Sequence, residues 1–306
     1  MNSTSRLACW LVMEALTFGW SQAETNPSAS NPNPGNDPFA PLPGIFNSEL
    51  PRMTVPANLR VTLRPRFGDL QNRDHLRLVW GLRYGLTPQW ELSSDIDSYL
   101  AHGLKDKSIL STNGISQLSV GAKYRFNDFL GPFWDTAAGI KCSVPVGKAP
   151  EELTDGLRHI APFMTLEHVF KRHPSVTGFF SYGFDFTSRA EARTNSDENY
   201  GADTWFVTPG LTWRRGPVKY TLEVTYRSSA LLDSGDTYNL SVRPGLAWTL
   251  PPNFTFHSRN RWVLGLGLSA SLSDQGSSFG VNTRLQTDFD FRRIFYTPKS
   301  FNTARR

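Results

Sequence analysis

The chain has 306 residues, with 32 Lys and Arg against 27 Asp and Glu for a formal charge of +5, and it is 39% hydrophobic, 13% aromatic and 19% charged. So many aromatic residues exclude low-complexity and collagen-like classes, and two cysteines exclude a disulfide scaffold. A mean hydropathy of −0.36, with no uninterrupted apolar run of about 18 residues beyond the N-terminus, excludes a helical membrane protein.

Of the 32 cations, 24 are Arg and 8 are Lys. With a pI near 9.3 this raises nucleic acid as a partner, and the placement of the arginines must decide it.

Residues 1–23 join the early cation Arg6 to an apolar stretch from Leu7 to Trp20 and then Ser21-Gln22-Ala23, small at −3 and −1 before Glu24. This pattern reads as a secretory signal peptide. Its removal leaves Cys142 alone, so neither an intramolecular disulfide nor a Cys/His metal cluster is expected. Residues 24–57 hold eight prolines among many Asn and Ser, a composition read as an extended periplasmic segment.

From Leu59 the pattern is period-two alternation. In residues 115–126, Leu118, Val120, Ala122, Tyr124 and Phe126 share one face, while Gln117, Ser119, Gly121, Lys123 and Arg125 share the other. Reading on in this way predicts strands over 58–67, 75–85, 89–98, 115–126, 132–145, 158–170, 175–186, 203–214, 218–228, 237–249, 259–273 and 279–291. The fold class is all-β, a transmembrane antiparallel up-and-down barrel of about twelve strands over residues 58–295, with 296–306 as a C-terminal tail.

Connections alternate between tight links, such as 86–88 and 215–217, and long polar ones, such as 99–114 and 187–202. Outer-membrane barrels have short periplasmic turns and longer extracellular loops. The face of the alternation is set by charge. The polar face carries Arg60, Arg64, Arg66, Arg77, Arg83, Lys123, Arg125, Lys141, Arg243 and Arg284, with Glu91, Asp95 and Glu223 among its carboxylates. These are the candidate lumen-lining residues.

The apolar face carries essentially no charge, as lipid requires when a cation at the bilayer midplane costs roughly 2–4 kcal/mol. Trp80, Trp90, Trp134, Trp205, Trp213, Trp248 and Trp262 all fall on that face, five of them near short-turn ends, as in an interfacial aromatic girdle. Arginines spaced by two and interleaved with carboxylates belong inside a barrel, so no nucleic-acid partner is expected. Pro65, Pro162, Pro209 and Pro244 each remove a ladder donor, which predicts local bulges.

The run Gly114-Ile115-Ser116-Gln117-Leu118-Ser119-Val120-Gly121-Ala122-Lys123-Tyr124-Arg125-Phe126, with Tyr84-Gly85-Leu86-Thr87 before it and Ser143-Val144-Pro145-Val146-Gly147 after it, resembles the outer-membrane family of the meta pathway of phenol degradation. The resemblance covers mainly Leu76–Lys148. It implies a single-domain barrel acting as a transporter or channel, and it supplies no catalytic residues.

Outer-membrane phospholipases need a His and a Ser two residues apart on one strand face. His257-Ser258 are adjacent and point opposite ways, and His173-Pro174-Ser175 falls in a tight turn, so no enzyme is expected. The six histidines show no metal-ligand spacing, and no cofactor is expected.

The expected function is passive permeation of small solutes through a charged lumen, with mild anion preference if the pore is open. The resemblance further implies uptake of small aromatic or hydrophobic solutes, with the Pro-rich segment, residues 24–57, as a candidate plug. Two alternatives stand beside it: a lumen filled by a salt-bridge ladder, and a non-conducting structural or adhesive barrel acting through its loops. The expected partners are outer-membrane lipid, a small-molecule solute and the barrel assembly machinery.

Overall fold

The computed structural model describes residues 48–67, 75–101, 113–127, 129–146, 156–189, 203–230, 232, 238–255, 260–273 and 276–290. The expected signal peptide and C-terminal tail lie outside them.

Twelve strands form: β1 Asn58–Phe67, β2 His75–Gly85, β3 Trp90–Ala101, β4 Asn113–Phe126, β5 Trp134–Pro145, β6 Leu157–Val169, β7 Val176–Arg189, β8 Thr204–Arg215, β9 Val218–Ser228, β10 Tyr238–Thr249, β11 Trp262–Ser273 and β12 Gly276–Asp290. Each pairs antiparallel with its neighbours in sequence, and β1 pairs with β12, so the sheet closes as an up-and-down barrel. No described helix is long and apolar enough to cross a membrane. Closure satisfies the ladder groups without an open edge, the condition for spanning lipid with strands.

Alternation along each strand sends one set of side chains inward and the other out. The outward set is apolar and exposed, with Val120 at 53% and Leu211 at 49%, while Arg60 inside is at 1% and Glu223 at 0%. This inverts the distribution of a water-soluble protein, in which charged groups are almost never fully buried. Outward rings crowd the rim carrying the turns β2–β3, β4–β5, β6–β7 and β8–β9. There Trp90 meets Tyr124 at 5.0 Å, Trp134 meets His168 at 4.5 Å and Trp213 stacks on Tyr220 at 5.4 Å. Trp205 lies toward the opposite rim, its Nε1 donating to Ala230 O at 2.9 Å.

The prolines behave differently from the sequence expectation. Each of Pro65, Pro162, Pro209 and Pro244 faces outward and keeps its pairing with one neighbouring strand, opposite Leu78, Ile140, Phe180 and Leu222 respectively. On its other side the ladder skips the proline and the residue before it and resumes in the same register, as in Val242↔Ala270 followed by Gly245↔Gly267. A missing donor therefore costs one rung and inserts no residue. Among the described ladders the register shifts only between Asp97 and Ser98, opposite β4. Ser116 is the additional residue there, and it turns Ile115 outward to 46% exposure.

The last hairpin also departs from the long–short pattern. The β11 and β12 ladders run to Ser273↔Gly276, leaving two residues between the strands, whereas β10 and β11 are joined by 250–261 with a short 3-10 turn at Pro252–Thr255.

Three inward glycines hold neighbouring phenyl rings flat on the wall. A Cβ at Gly139 would stand 2.6 Å from Phe163 Cζ, at Gly183 2.8 Å from Phe206 Cζ, and at Gly210 2.1 Å from Phe179 Cζ. The rings thus occupy space that side chains would otherwise fill, in the manner of aromatic cover over strand glycines.

Candidate functional site, the barrel lumen

The chain reaches β1 through a segment that runs inside the barrel. Pro56 and Ala57 form the centre of a turn in which Asn58 N donates to Val55 O at 2.9 Å, with φ +62° at Ala57. Proline at the second position and a positive φ at the third are features of a type II turn, which reverses the chain between this segment and β1. Pro56 bridges Gly85 in parallel, and Ala57 N donates to Gly85 O at 2.7 Å. A Cβ on Gly85 would lie 2.4 Å from both Thr54 O and Val55 O, so only glycine allows the segment to lie on the wall here.

Upstream, the segment is tied to five strands. Thr54 donates from N and Oγ1 to Glu91 Oε2 of β3 at 2.6 and 2.7 Å. Arg52 Nε donates to both oxygens of Glu167 on β6, at 2.9 and 3.0 Å. Lys123 Nζ of β4 donates to Leu50 O at 2.9 Å and Arg52 O at 3.1 Å. Glu49 takes both terminal nitrogens of Arg83 on β2, one at 2.9 Å, and Ser48 Oγ donates to Glu223 Oε2 of β9 at 2.8 Å. Leu50 is 2% exposed and Thr54 1%, so this is a packed interior and not a loose strap. Burial pushes the Glu49 carboxyl up, but the Arg83 guanidinium and the Lys123 ammonium outweigh it and hold it below its ordinary range.

Ser48 and Glu49 form part of the lining of a cavity of about 620 Å³. Its walls carry Arg64, Arg77, Lys141, Arg227 and Arg243 against Asp95, Asp97 and Asp185, with Phe163, Phe206 and Val79 as apolar surface. The carboxylates are bridged to cations from nearby strands. Asp95 takes Arg64 at 2.8 Å and Lys141 at 2.6 Å, Arg77 pairs with Asp97, and Asp185 takes Arg227 and His159 at 3.0 Å each. Gly81 leaves room for the first of these bridges, since a Cβ there would lie 2.8 Å from Asp95 Oδ1. Arg243 faces the cavity opposite Glu223 in the ladder and forms no ion pair with a described residue.

The sequence-predicted lumen residues therefore divide into groups. Arg64, Arg77, Asp95, Lys141 and Arg243 line the cavity. Arg83, Glu91, Lys123 and Glu223 hold the N-terminal segment. Arg60 lies 1% exposed with Nε on Asp288 at 2.8 Å, and Arg284 is 5% exposed on β12 close to Arg60, Arg64 and Arg83. Arg125 pairs with Asp135 near the short-turn rim, away from the cavity. Arg66 is placed by its pairing with Asn282 and Arg77, and its side chain lies outside the described residues.

Sequence reasoning missed Ser48, Glu49, Arg52 and Thr54, because a Pro- and Asn-rich stretch has no periodicity to assign a face. It also missed the inward phenyl rings, which alternation places correctly on β6, β7 and β8 but which a lipid-facing reading of aromatics passes over.

No family model matches the chain, and no curated protein matches it in sequence. Solved structures do match. An outer membrane channel from Pseudomonas putida F1 is 12% identical, with 81% of this chain and 99% of that chain covered and a TM-score of 0.52. The KdgM porin is 10% identical, covering 75% and 98%, at a TM-score of 0.46, and the CymD monoaromatic hydrocarbon channel is 11% identical, covering 78% and 89%, at 0.43. The likeness to the Pseudomonas putida channel is one of fold, and the fold of this chain is that of an outer-membrane β-barrel.

Proposed function

We propose that the chain is a passive outer-membrane channel for small polar solutes, with anions favoured, and that residues 48–57 restrict its lumen. The observation that carries this reading is the water-accessible cavity of about 620 Å³, bounded by charged side chains and by the N-terminal segment, inside an otherwise closed barrel. That volume matches a site for one small molecule. The cavity lining holds five Lys and Arg against four Asp and Glu, and Arg243, which forms no ion pair with a described residue, tips its field toward anions. Solute swelling of proteoliposomes, with planar-bilayer recording, tests it. Low conductance with mild anion preference is expected, rising when residues 24–57 are deleted. Absence of permeation in both forms would refute the channel and favour a barrel acting through its loops.

A second reading, uptake of hydrophobic or aromatic molecules, is favoured by the Phe163 and Phe206 rings on the cavity wall and by the family resemblance over Leu76–Lys148. It requires aromatic solutes to cross faster than polar ones of equal size. Export by residues 1–23 and insertion by the barrel assembly machinery complete the proposal, with the short turns periplasmic.

A further inference from the structure

The turns β6–β7 and β8–β9 lie side by side at the girdle rim, joined by Arg214 N donating to Ser175 O at 2.8 Å. Between them they present Lys171, Arg172, Arg214 and Arg215, all exposed, and neither turn contains a carboxylate. The cations do not stand alone. Lys171 Nζ lies 4.1 Å from the centroid of the Phe133 ring, and Arg215 lies two residues beyond the outward Trp213, on the same side of β8, where Trp213 is 45% exposed and stacked on Tyr220. On the adjoining β4–β5 turn Phe129 is 61% exposed.

We propose that this patch binds the headgroups of anionic phospholipid in the periplasmic leaflet. Basic groups set beside interfacial aromatic rings match a lipid surface, where indole and phenyl rings sit at headgroup level and cations meet phosphate just outside. An acidic protein would instead be met by a patch that faces away from the bilayer, whereas Arg215 lies on the same outward side of β8 as the lipid-facing Trp213. The proposal rests on the membrane reading above and adds to it a preference for lipid charge.

The test uses the full chain in nanodiscs of phosphatidylcholine mixed with cardiolipin, then transferred to mild detergent so that retained lipid can be quantified. The unaltered protein retains cardiolipin above the bulk ratio, and high salt removes the excess. Each cation replaced by Gln, beginning with Lys171→Gln and Arg215→Gln, weakens retention about fivefold, and the fourfold Gln variant falls to the bulk ratio. Arg172→Lys with Arg214→Lys keeps the charge and keeps the excess. Equal retention in the unaltered and fourfold-substituted proteins overturns the proposal. Displacement of cardiolipin by inorganic phosphate overturns it in favour of a free-anion site, and an unchanged lipid profile with lost binding to purified peptidoglycan overturns it in favour of that polymer. Heat-modifiable mobility on a gel, read for every variant, separates these outcomes from failure of the barrel to insert.

Discussion

Gly85→Ala is the sharpest perturbation of the N-terminal segment. The added methyl would stand 2.4 Å from Thr54 O and Val55 O and 2.8 Å from Val55 C, all backbone atoms that cannot rotate aside. Restoring ordinary contact requires the segment to move by roughly 1 Å. That move disrupts the Ala57 N to Gly85 O bond of 2.7 Å and the Thr54 N to Glu91 bond of 2.6 Å. Loss of one neutral and one charge-assisted hydrogen bond costs about 2–4 kcal/mol, a roughly 30- to 800-fold shift in the docking equilibrium. Single-channel recording in planar bilayers should show a larger or more frequently open conductance. Gly178→Ala on β7 is the matched control, because its methyl would meet nothing nearer than the Phe170 ring at 3.4 Å. Conductance of Gly85→Ala equal to that of the unaltered protein, with heat-modifiable mobility intact, would refute the claim that this contact seats the segment.

Arg52→Ala leaves Glu167 buried without its guanidinium, a loss of about 3 kcal/mol that should lower the temperature of the heat-modifiability transition and raise conductance together. Glu49 supplies a pH dependence: its docked carboxyl lies below its ordinary 4.5, so docking is fully stabilised above that value and weakens as pH falls through the depressed one. Conductance should therefore rise on acidification below about pH 4.5, and Glu49→Gln should show the raised conductance at neutral pH with that component of the pH response removed. Arg243→Glu places a carboxylate in the cavity and should move the reversal potential in a salt gradient toward cation preference, whereas Arg125→Glu, at a pair away from the cavity, should move it less.

Much of the barrel is legible in the sequence because lipid and lumen impose opposite rules on alternate residues. Val120 and Lys123 could not exchange faces without placing an ammonium in hydrocarbon, so pattern alone orients β4. What escapes such reading is whatever does not alternate. Ser116 interrupts the period between Ile115 and Leu118, two apolar residues three apart on one face, and this visible phase slip marks the bulge better than any proline does. The four prolines misled because a missing N–H was equated with an inserted residue, while the ladder simply omits a rung. Residues 48–57 were legible as non-helical and, within 24–57, as part of a candidate plug, but not which of their side chains would meet the wall. Glu49 and Arg52 are ordinary surface residues by type, and only the barrel's closure brings Arg83 and Glu167 within their reach.

The direct run of residues 48–57 into β1 has a kinetic meaning of its own. A segment joined to the wall through one turn at Ala57 is an intramolecular ligand, present at an effective concentration in the millimolar range whatever the amount of protein in the membrane. A solute anion that competes with Glu49 for Arg83 and Lys123 meets that concentration as its threshold. Such a lumen would respond little to scarce solutes and progressively to abundant ones, so that the solute level at which each copy opens is set within the molecule and not by copy number.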